Sequence, residues 1–209
     1  MSSFRRISHL NVRTRAVLSK PGEPALAPAS RAPHGEPVSA PQQTREELLD
    51  SFQSAMRHVA ATVYAVTTGG VGERHGILAT AVSSLSFDPP SLLVCINRSA
   101  SLHEPLACAE TFCVNVLGLG NRDVAEVFFH KRGEDRFAVG SWSELHGVPV
   151  LDSAQSSFIC RTAHRHEFGT HTIFIGQLLD AKHRADATPL TYYDRHYIDI
   201  SAAPERPNG

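Results

Sequence analysis

The chain is 209 residues long, 42% hydrophobic and 20% charged, with a net charge of −1 at pH 7. That length and balance suit one soluble α+β domain and exclude a polybasic nucleic-acid binder or a membrane-surface protein. No apolar run approaches the ~20 residues that a helix needs to span a bilayer.

Residues 1–44 read as a basic, proline-rich extension. Residues 1–45 carry seven Lys or Arg against two Glu, a net +5, and six of the 13 prolines. Residues 46–209 carry 13 basic and 19 acidic groups, a net −6. The N-terminal composition buries too little apolar area to offset chain entropy, so disorder is expected there. Arg and Ser without early acidic groups also fit an organelle transit peptide, but the segment has no apolar face, which favours a tail or a misassigned upstream start. No secretory signal is recognisable, and Cys95, Cys108, Cys113 and Cys160 form no C-x-x-C pair. Cytoplasmic thiols are expected in place of a disulfide framework.

A folded domain is expected over residues 45–200, with a flexible tail over 201–209. Thr44-Arg45-Glu46-Glu47 is a capping box, and Leu48, Phe52, Ala55, Met56 and Val59 recur behind it at helical spacing. Residues 63–68 read as the first strand, turned back by Gly69-Gly70-Val71-Gly72.

The most informative stretch follows, from His75 to Pro105. Thr80, Ser83, Ser84 and Ser86 lie among apolar residues, and hydroxyls buried in a core strand require partners. Asp88-Pro89-Pro90 stops that strand. Residues 91–96 follow as a fully apolar, buried strand, and the chain leaves through Asn97-Arg98-Ser99-Ala100-Ser101. Ser101 and Glu104 have the spacing of a second capping box. Free backbone N–H groups, the two serine hydroxyls and the Arg98 guanidinium would together suit a phosphate. From the residues alone, an ordinary strand-to-helix loop with serine caps and a solvated arginine fits equally well. Neither G-x-G-x-x-G nor G-x-x-x-x-G-K-[ST] occurs anywhere.

Short helices are expected at 102–109 and, capped by Asn121, at 121–129. Strands are expected at 111–117, 157–163, 171–179 and 190–200, with loop and short extended pieces across 135–151. Five or more strands joined by short helices imply a closed, largely antiparallel barrel. His164 and His166 share one face of a strand and His171 follows, but no Cys or carboxylate pattern completes a zinc set and no metal is assigned. Nucleophilic catalysis lacks a G-x-S-x-G elbow, and Cys108 lacks a base partner. Asp123, Glu126 and Asp135 read as a solvated face, not as an acid pair.

His75-Gly76-Ile77, Ala79-Thr80-Ala81, Ser84, Pro89-Pro90 and Cys95-Ile96-Asn97-Arg98-Ser99-Ala100-Ser101 together resemble the flavin reductase family, the reductase components of two-component flavin monooxygenases. Further matches are Phe112-Cys113-Val114-Asn115-Val116-Leu117, Arg136-Phe137, Pro149-Val150-Leu151, Gly169-Thr170-His171 and Tyr192-Tyr193-Asp194-Arg195-His196-Tyr197. The likeness runs from about Phe52 to Tyr197 and is strongest to the branch holding the 4-hydroxyphenylacetate 3-monooxygenase and pyrimidine-utilisation reductases. One departure is Leu78, where that branch usually has Thr.

The resemblance implies a mainly β fold with short helices, a split β-barrel that binds FMN or FAD. It implies NADH or NADPH as co-substrate, a homodimer, and delivery of reduced flavin to a separate monooxygenase. Carried over position by position, it puts Ala79, Thr80, Ala81, Val82, Ser83 and Ser84 along the flavin ring. Asn97, Arg98, Ser99 and Ser101 would hold the flavin phosphate, and Asn115 and Arg136 would lie near the flavin or its tail. His171 would stand beside the nicotinamide as the catalytic residue, donating a hydrogen bond while the flavin carries the electrons. Two rivals belong to other classes: a non-catalytic flavin-binding redox or interaction protein, and a metal-binding β-barrel using His164, His166 and His171.

Overall fold

The computed structural model describes residues 43–70 and 72–201. The disorder expected of the N-terminal extension and the tail expected after residue 200 fall almost wholly outside the described residues.

Helix α1, Arg45–Arg57, has the predicted capping box: the Glu47 N–H donates to Thr44 Oγ1 at 3.2 Å, and the Thr44 N–H donates to Glu47 Oε2 at 2.8 Å. Its apolar stripe does not enter the core. Phe52 is 61% exposed and no residue of the helix is buried. Its last turn is tied down by Arg57 Nη2, 2.7 Å from Asp194 Oδ1, and by the Asp194 N–H donating to the Arg57 carbonyl at 2.9 Å.

The strands are β1 (Ala61–Thr62), β2 (Tyr64–Thr68), β3 (His75–Ala79), β4 (Val82–Phe87), β5 (Pro90–Asn97), β6 (Thr111–Val116), β7 (Trp142–Leu145), β8 (Val148–Leu151), β9 (Ser156–Phe168), β10 (His171–His183), β11 (Thr191–Tyr193) and β12 (His196–Ile198). Helices α2 (His103–Cys108) and α3 (Arg122–His130) sit in the connections, with a 3₁₀ helix at Gly133–Ala138. Seven strands form one antiparallel sheet in the order β3-β2-β6-β9-β10-β5-β4. Its two edge strands, β3 and β4, are joined by only Thr80 and Ala81. A flat sheet would hold those edges about 29 Å apart, six spacings of ~4.8 Å. Three Cα–Cα steps reach at most about 11 Å. The sheet therefore curls until its edges meet, which makes a barrel with a seam at Thr80-Ala81.

The barrel interior is packed by side chains arriving from opposite walls, among them Val66, Val94, Phe112 and Phe174. Each fully buried Phe contributes roughly 2–3 kcal/mol of hydrophobic stabilisation. A second cluster lies outside the wall, where α3 lays Val124, Ala125 and Phe128 against Ala65 and Leu117. Strands β2 and β6 are thus covered on both faces, which is why they read as near-continuous apolar runs. Gly176 is required where β10 crosses the core: a Cβ there would lie 2.5 Å from Phe112 Cζ and 2.7 Å from Cys160 Cβ.

Several expectations are corrected. The hydroxyls of β4 are not buried: Ser83 and Ser84 are exposed, because β4 is an edge strand at the seam. Residues 91–96 alternate, with Leu92, Val94 and Ile96 inward and the others half-buried. No capping box forms at Ser101 and Glu104; α2 starts at His103 with no side-chain cap bond. Asn121 precedes α3 but does not cap it, instead accepting from the Gly118 N–H at 3.0 Å and donating to Ser153 Oγ at 2.8 Å. Residues 190–200 are a hairpin, turned by Asp194 and Arg195 at φ +42° and +67°. The pair β9–β10 extends well beyond the predicted strands, since ladder pairing carries the polar residues 164–168 along.

All four cysteines are free thiols. Burial pushes the Cys160 thiol up to about 12, and Cys113 is raised by burial and by Cys160, so neither offers a thiolate at neutral pH. Among the described residues no helix is long and apolar enough to cross a membrane.

Candidate flavin and nucleotide site

The seam brings its chemistry to the surface by default, since an edge strand leaves hydroxyls and backbone without ladder partners. At the joint the Val82 N–H donates to the Thr80 carbonyl at 3.0 Å, and the Cys95 N–H donates to the Ala81 carbonyl at 2.9 Å. These two bonds fix the corner. Thr80 and Ala81 are exposed and Ala79 is half-buried, while Val82 packs against the interior cluster. Ser83 Oγ donates only locally, to the Ser84 carbonyl at 3.2 Å. The Thr80 and Ser84 hydroxyls have no side-chain hydrogen bond among the described residues, so they remain free for a polar-edged ligand.

One end of the seam is bordered by the loop after β5. Asn97 Oδ1 accepts from the Ser99 N–H and from Ser99 Oγ, both at 2.9 Å, an Asx turn that sets the loop's shape. The Arg98 N–H donates to the Thr170 carbonyl at 2.9 Å, and Arg98 Nη1 lies 3.2 Å from Glu167 Oε2. That ion pair is exposed and contributes at most about 1 kcal/mol, so an incoming anion can displace it. Arg136, arriving from the 3₁₀ helix, donates through Nη1 to Ser101 Oγ at 3.2 Å and to the Gly76 carbonyl, and through Nε to the Lys131 carbonyl at 2.9 Å. Burial and, after it, the nearby Arg132 charge hold its pKa below the usual arginine value. Gly76 is needed beneath it, where a Cβ would lie 2.9 Å from Phe128 Cε1.

His171 opens β10 directly opposite Asn97 on β5, and is exposed, with Nδ1 2.9 Å from Thr170 Oγ1. The structure thus gathers Asn97, Arg98, Ser99, Ser101, Arg136 and His171 at one end of the barrel, next to the seam residues. Asn115 is not among them. It is fully buried, donates Nδ2 to the Ala65 carbonyl at 3.1 Å and to Thr67 Oγ1 at 3.3 Å, and accepts at Oδ1 from the Leu151 N–H at 2.9 Å. Those bonds make it a clip between β2, β6 and β8, out of reach of a surface ligand. His164, His166 and His171 alternate onto one outward face, yet among the described residues no group of three His, Cys, Asp or Glu is placed to hold a metal.

A cleft of about 520 Å³ on the other side of Ala79 and Thr80 was not foreseen. That volume is in the range of nucleotide and cofactor sites. Val63 and Leu78 contribute to its floor, and α3 and the hairpin β11–β12 form facing walls. Tyr192 and Tyr197 come from the hairpin; Arg122, Glu126 and Phe129 come from α3. The walls lie some 70 residues apart in the chain. The usable sequence signal was the spacing 122, 126, 129 and 130, one polar and aromatic stripe on a helix whose other face is core.

The chain is similar to known proteins across the whole of this fold. The family model described as "Flavin reductase like domain" matches residues 56–201. A curated relative from Pseudomonas syringae pv. syringae, named FMN reductase (NADH) RutF, is 42% identical over 149 residues, covering 70% of this chain and 84% of the relative. Its namesake from Agrobacterium fabrum is 40% identical, covering 74% of this chain and 90% of the relative. Among solved structures, BorF, the flavin reductase component of a bacterial two-component tryptophan halogenase, is 28% identical with a TM-score of 0.65, covering 72% of this chain and 96% of that one. A seam of unpaired hydroxyls, an arginine-and-serine loop and a match across the whole barrel lead to one assignment: this chain belongs to the flavin reductase family.

Proposed function

We propose that this chain is an NADH-dependent flavin reductase that takes FMN as its flavin and hands the reduced flavin to a separate monooxygenase. The observation that carries the reading is the pairing of unpaired hydroxyls at Thr80 and Ser84 with the cationic loop at one end of the same seam. A flavin has a polar-edged ring and, one ribityl chain away, a phosphate, so the donor set fits it. When bound, the flavin supplies the redox chemistry, accepting a hydride from the nicotinamide.

The chain's own residues bind and orient. Ala79, Ala81 and Ser83 are small enough to let a flat ring approach the backbone of the corner. Thr80, Ser83 and Ser84 offer hydrogen bonds to the ring edge. Ser99, Ser101, Arg98 and Arg136 hold the phosphate, with Arg136 already oriented by the Gly76 and Lys131 carbonyls. His171 donates a hydrogen bond to the nicotinamide carboxamide or ribose and positions it for transfer. No acid or base is demanded of the protein.

The curated relatives are named NADH-dependent FMN reductases, and BorF is the reductase half of a two-component system. Their names support the choice of FMN, NADH and a partner oxygenase. A homodimer is part of the proposal: the stripe of α1 and the half-exposed outward residues Leu93, Cys95, Ile173 and Ile175 are apolar surface that a second copy would cover. The free thiols favour the cytoplasm. Steady-state oxidation of NADH with added FMN tests the activity. Tight FMN binding without turnover would instead establish a non-catalytic flavin carrier. Light scattering tests the dimer, and a concentration-independent monomer mass would exclude it.

A further inference from the structure

From the cleft beside the seam we infer that Glu126 is the residue that makes the protein choose a nicotinamide nucleotide without a 2′-phosphate. The inference rests on the reductase reading above, but its test does not depend on turnover. The cleft touches Ala79 and Thr80, so a dinucleotide whose nicotinamide meets the flavin there has its other half in the 520 Å³ beyond.

The walls suit that half. Phe129 is 73% exposed and lines the cleft, where its ring offers a platform for a purine. Tyr192 and Tyr197 face it from the hairpin, and Arg195 brings a cation for the diphosphate.

The α3 stripe then holds a column of charge one turn apart. Arg122 Nε is 4.0 Å from Glu126 Oε1, and His130 Nε2 is 3.6 Å from Glu126 Oε2. Arg122 also lies over the Tyr197 ring, 5.7 Å from its centroid, which sets the column against the aromatic wall. Arg122 and His130 without the carboxylate would be a fitting 2′-phosphate site, since arginine pairs well with phosphate. Glu126 stands between them, within 4.0 Å of each, and presents a carboxylate. A carboxylate accepts hydrogen bonds from free 2′- and 3′-hydroxyls, as the acidic residue of a dinucleotide fold does. It repels a phosphate carrying about −1.5 to −2 charges.

Calorimetry of the full-length chain with two small probes tests this, 5′-AMP and adenosine 2′,5′-bisphosphate, at low ionic strength where exposed charges are least screened. The wild type should prefer 5′-AMP by roughly tenfold or more, the scale of one unscreened charge contact. Glu126→Gln should narrow or invert that preference by at least about fivefold while keeping the melting midpoint. Phe129→Ala should weaken both probes and leave FMN affinity within a few-fold. In turnover, Glu126→Gln should shift the ratio of NADPH to NADH kcat/KM in the same direction. An unchanged probe preference in Glu126→Gln, or FMN competing with 5′-AMP for the cleft, would overturn the inference. Absence of NADH turnover alongside the expected probe preferences would refute the reductase reading and leave the cleft assignment standing.

Discussion

Asn115 and Thr80 are both polar residues of the barrel wall, and they have opposite fates. Asn115, within the wall, has its amide bonded to β2 and β8 and touches no solvent. Thr80, at the seam, is exposed and has no side-chain partner among the described residues. Inside the wall an unpaired polar group would cost too much to persist. At the seam, water satisfies it until a ligand does. The difference separates scaffold from site more sharply than residue type, since Asn and Thr are equally credible flavin contacts in the sequence.

The strongest way to break this division is Asn115→Ala. It strands the buried Leu151 N–H and the Ser157 hydroxyl, which donates to Asn115 Oδ1 at 3.2 Å. We expect a loss of roughly 2–4 kcal/mol. For a domain of this size that is a melting point about 5–15 °C lower. FMN affinity of the protein that remains folded should be unaltered; a selective loss of flavin binding would return Asn115 to the site.

The mirror experiment is Arg98→Ala with Ser101→Ala. FMN binding should weaken by roughly 2–4 kcal/mol, because charged hydrogen bonds contribute about 1.5–3 kcal/mol each and seldom add fully. The melting point without flavin should hardly move, since the two substitutions give up only an exposed ion pair and one exposed hydrogen bond from Arg136. Wild-type flavin affinity in fluorescence titration would remove the loop from the site.

His171→Ala sharpens the comparison within the site. Stopped-flow reduction of bound flavin at varied NADH should show kcat/KM lower by about ten- to a hundredfold, the scale of one or two oriented hydrogen bonds. Flavin affinity should stay within a few-fold. A fall in melting point with unchanged kinetics would make His171 a rim-closing residue.

The smallest effect is expected at the α1 anchor. The Arg57 guanidinium holds the Asp194 carboxyl below its usual range. A carboxylate with a depressed folded pKa contributes stability above its unfolded value, about 3.9, and loses it as pH falls through the lower folded value. Asp194→Asn should therefore reduce hydrogen-exchange protection of α1 slightly at pH 7, and the difference from wild type should shrink as the pH falls and the wild-type carboxylate is protonated. A gap that persisted in acid would mean that the ion pair is not the anchor.

Much of this architecture was legible, for identifiable reasons. Strands β2 and β6 announce themselves because both faces are buried, and α1 because its capping box is local. The loop at residues 97–101 was legible through its family pattern. What stayed hidden depends on partners far away in the chain. The hydroxyls of β4 could be placed outside only once β4 was known to be an edge. The polar end of β9 is a strand because β10 pairs with it, not because of its own residues. The cleft needs α3 and the hairpin β11–β12 to meet across the seam, and no local pattern encodes that meeting. The stripe of α1 is legible as amphipathic, but amphipathicity does not say which surface, or whose, will cover it.

The two-residue joint between the edge strands has a further consequence, for the order of assembly. The sheet contains three local hairpins, β2–β3, β4–β5 and β9–β10, and these can form early and independently. They are linked by the pairings β2–β6, β6–β9 and β10–β5, whose partners lie 40 to 86 residues apart. Loop closure of that kind slows folding, so the rate should be set by those three long-range joins. The flavin site, which needs the seam and the loop at 97–101 set beside His171, exists only after all of them are made. Flavin would therefore bind no partly folded barrel, and its binding energy would act wholly on the final closed state, slowing unfolding more than it speeds folding.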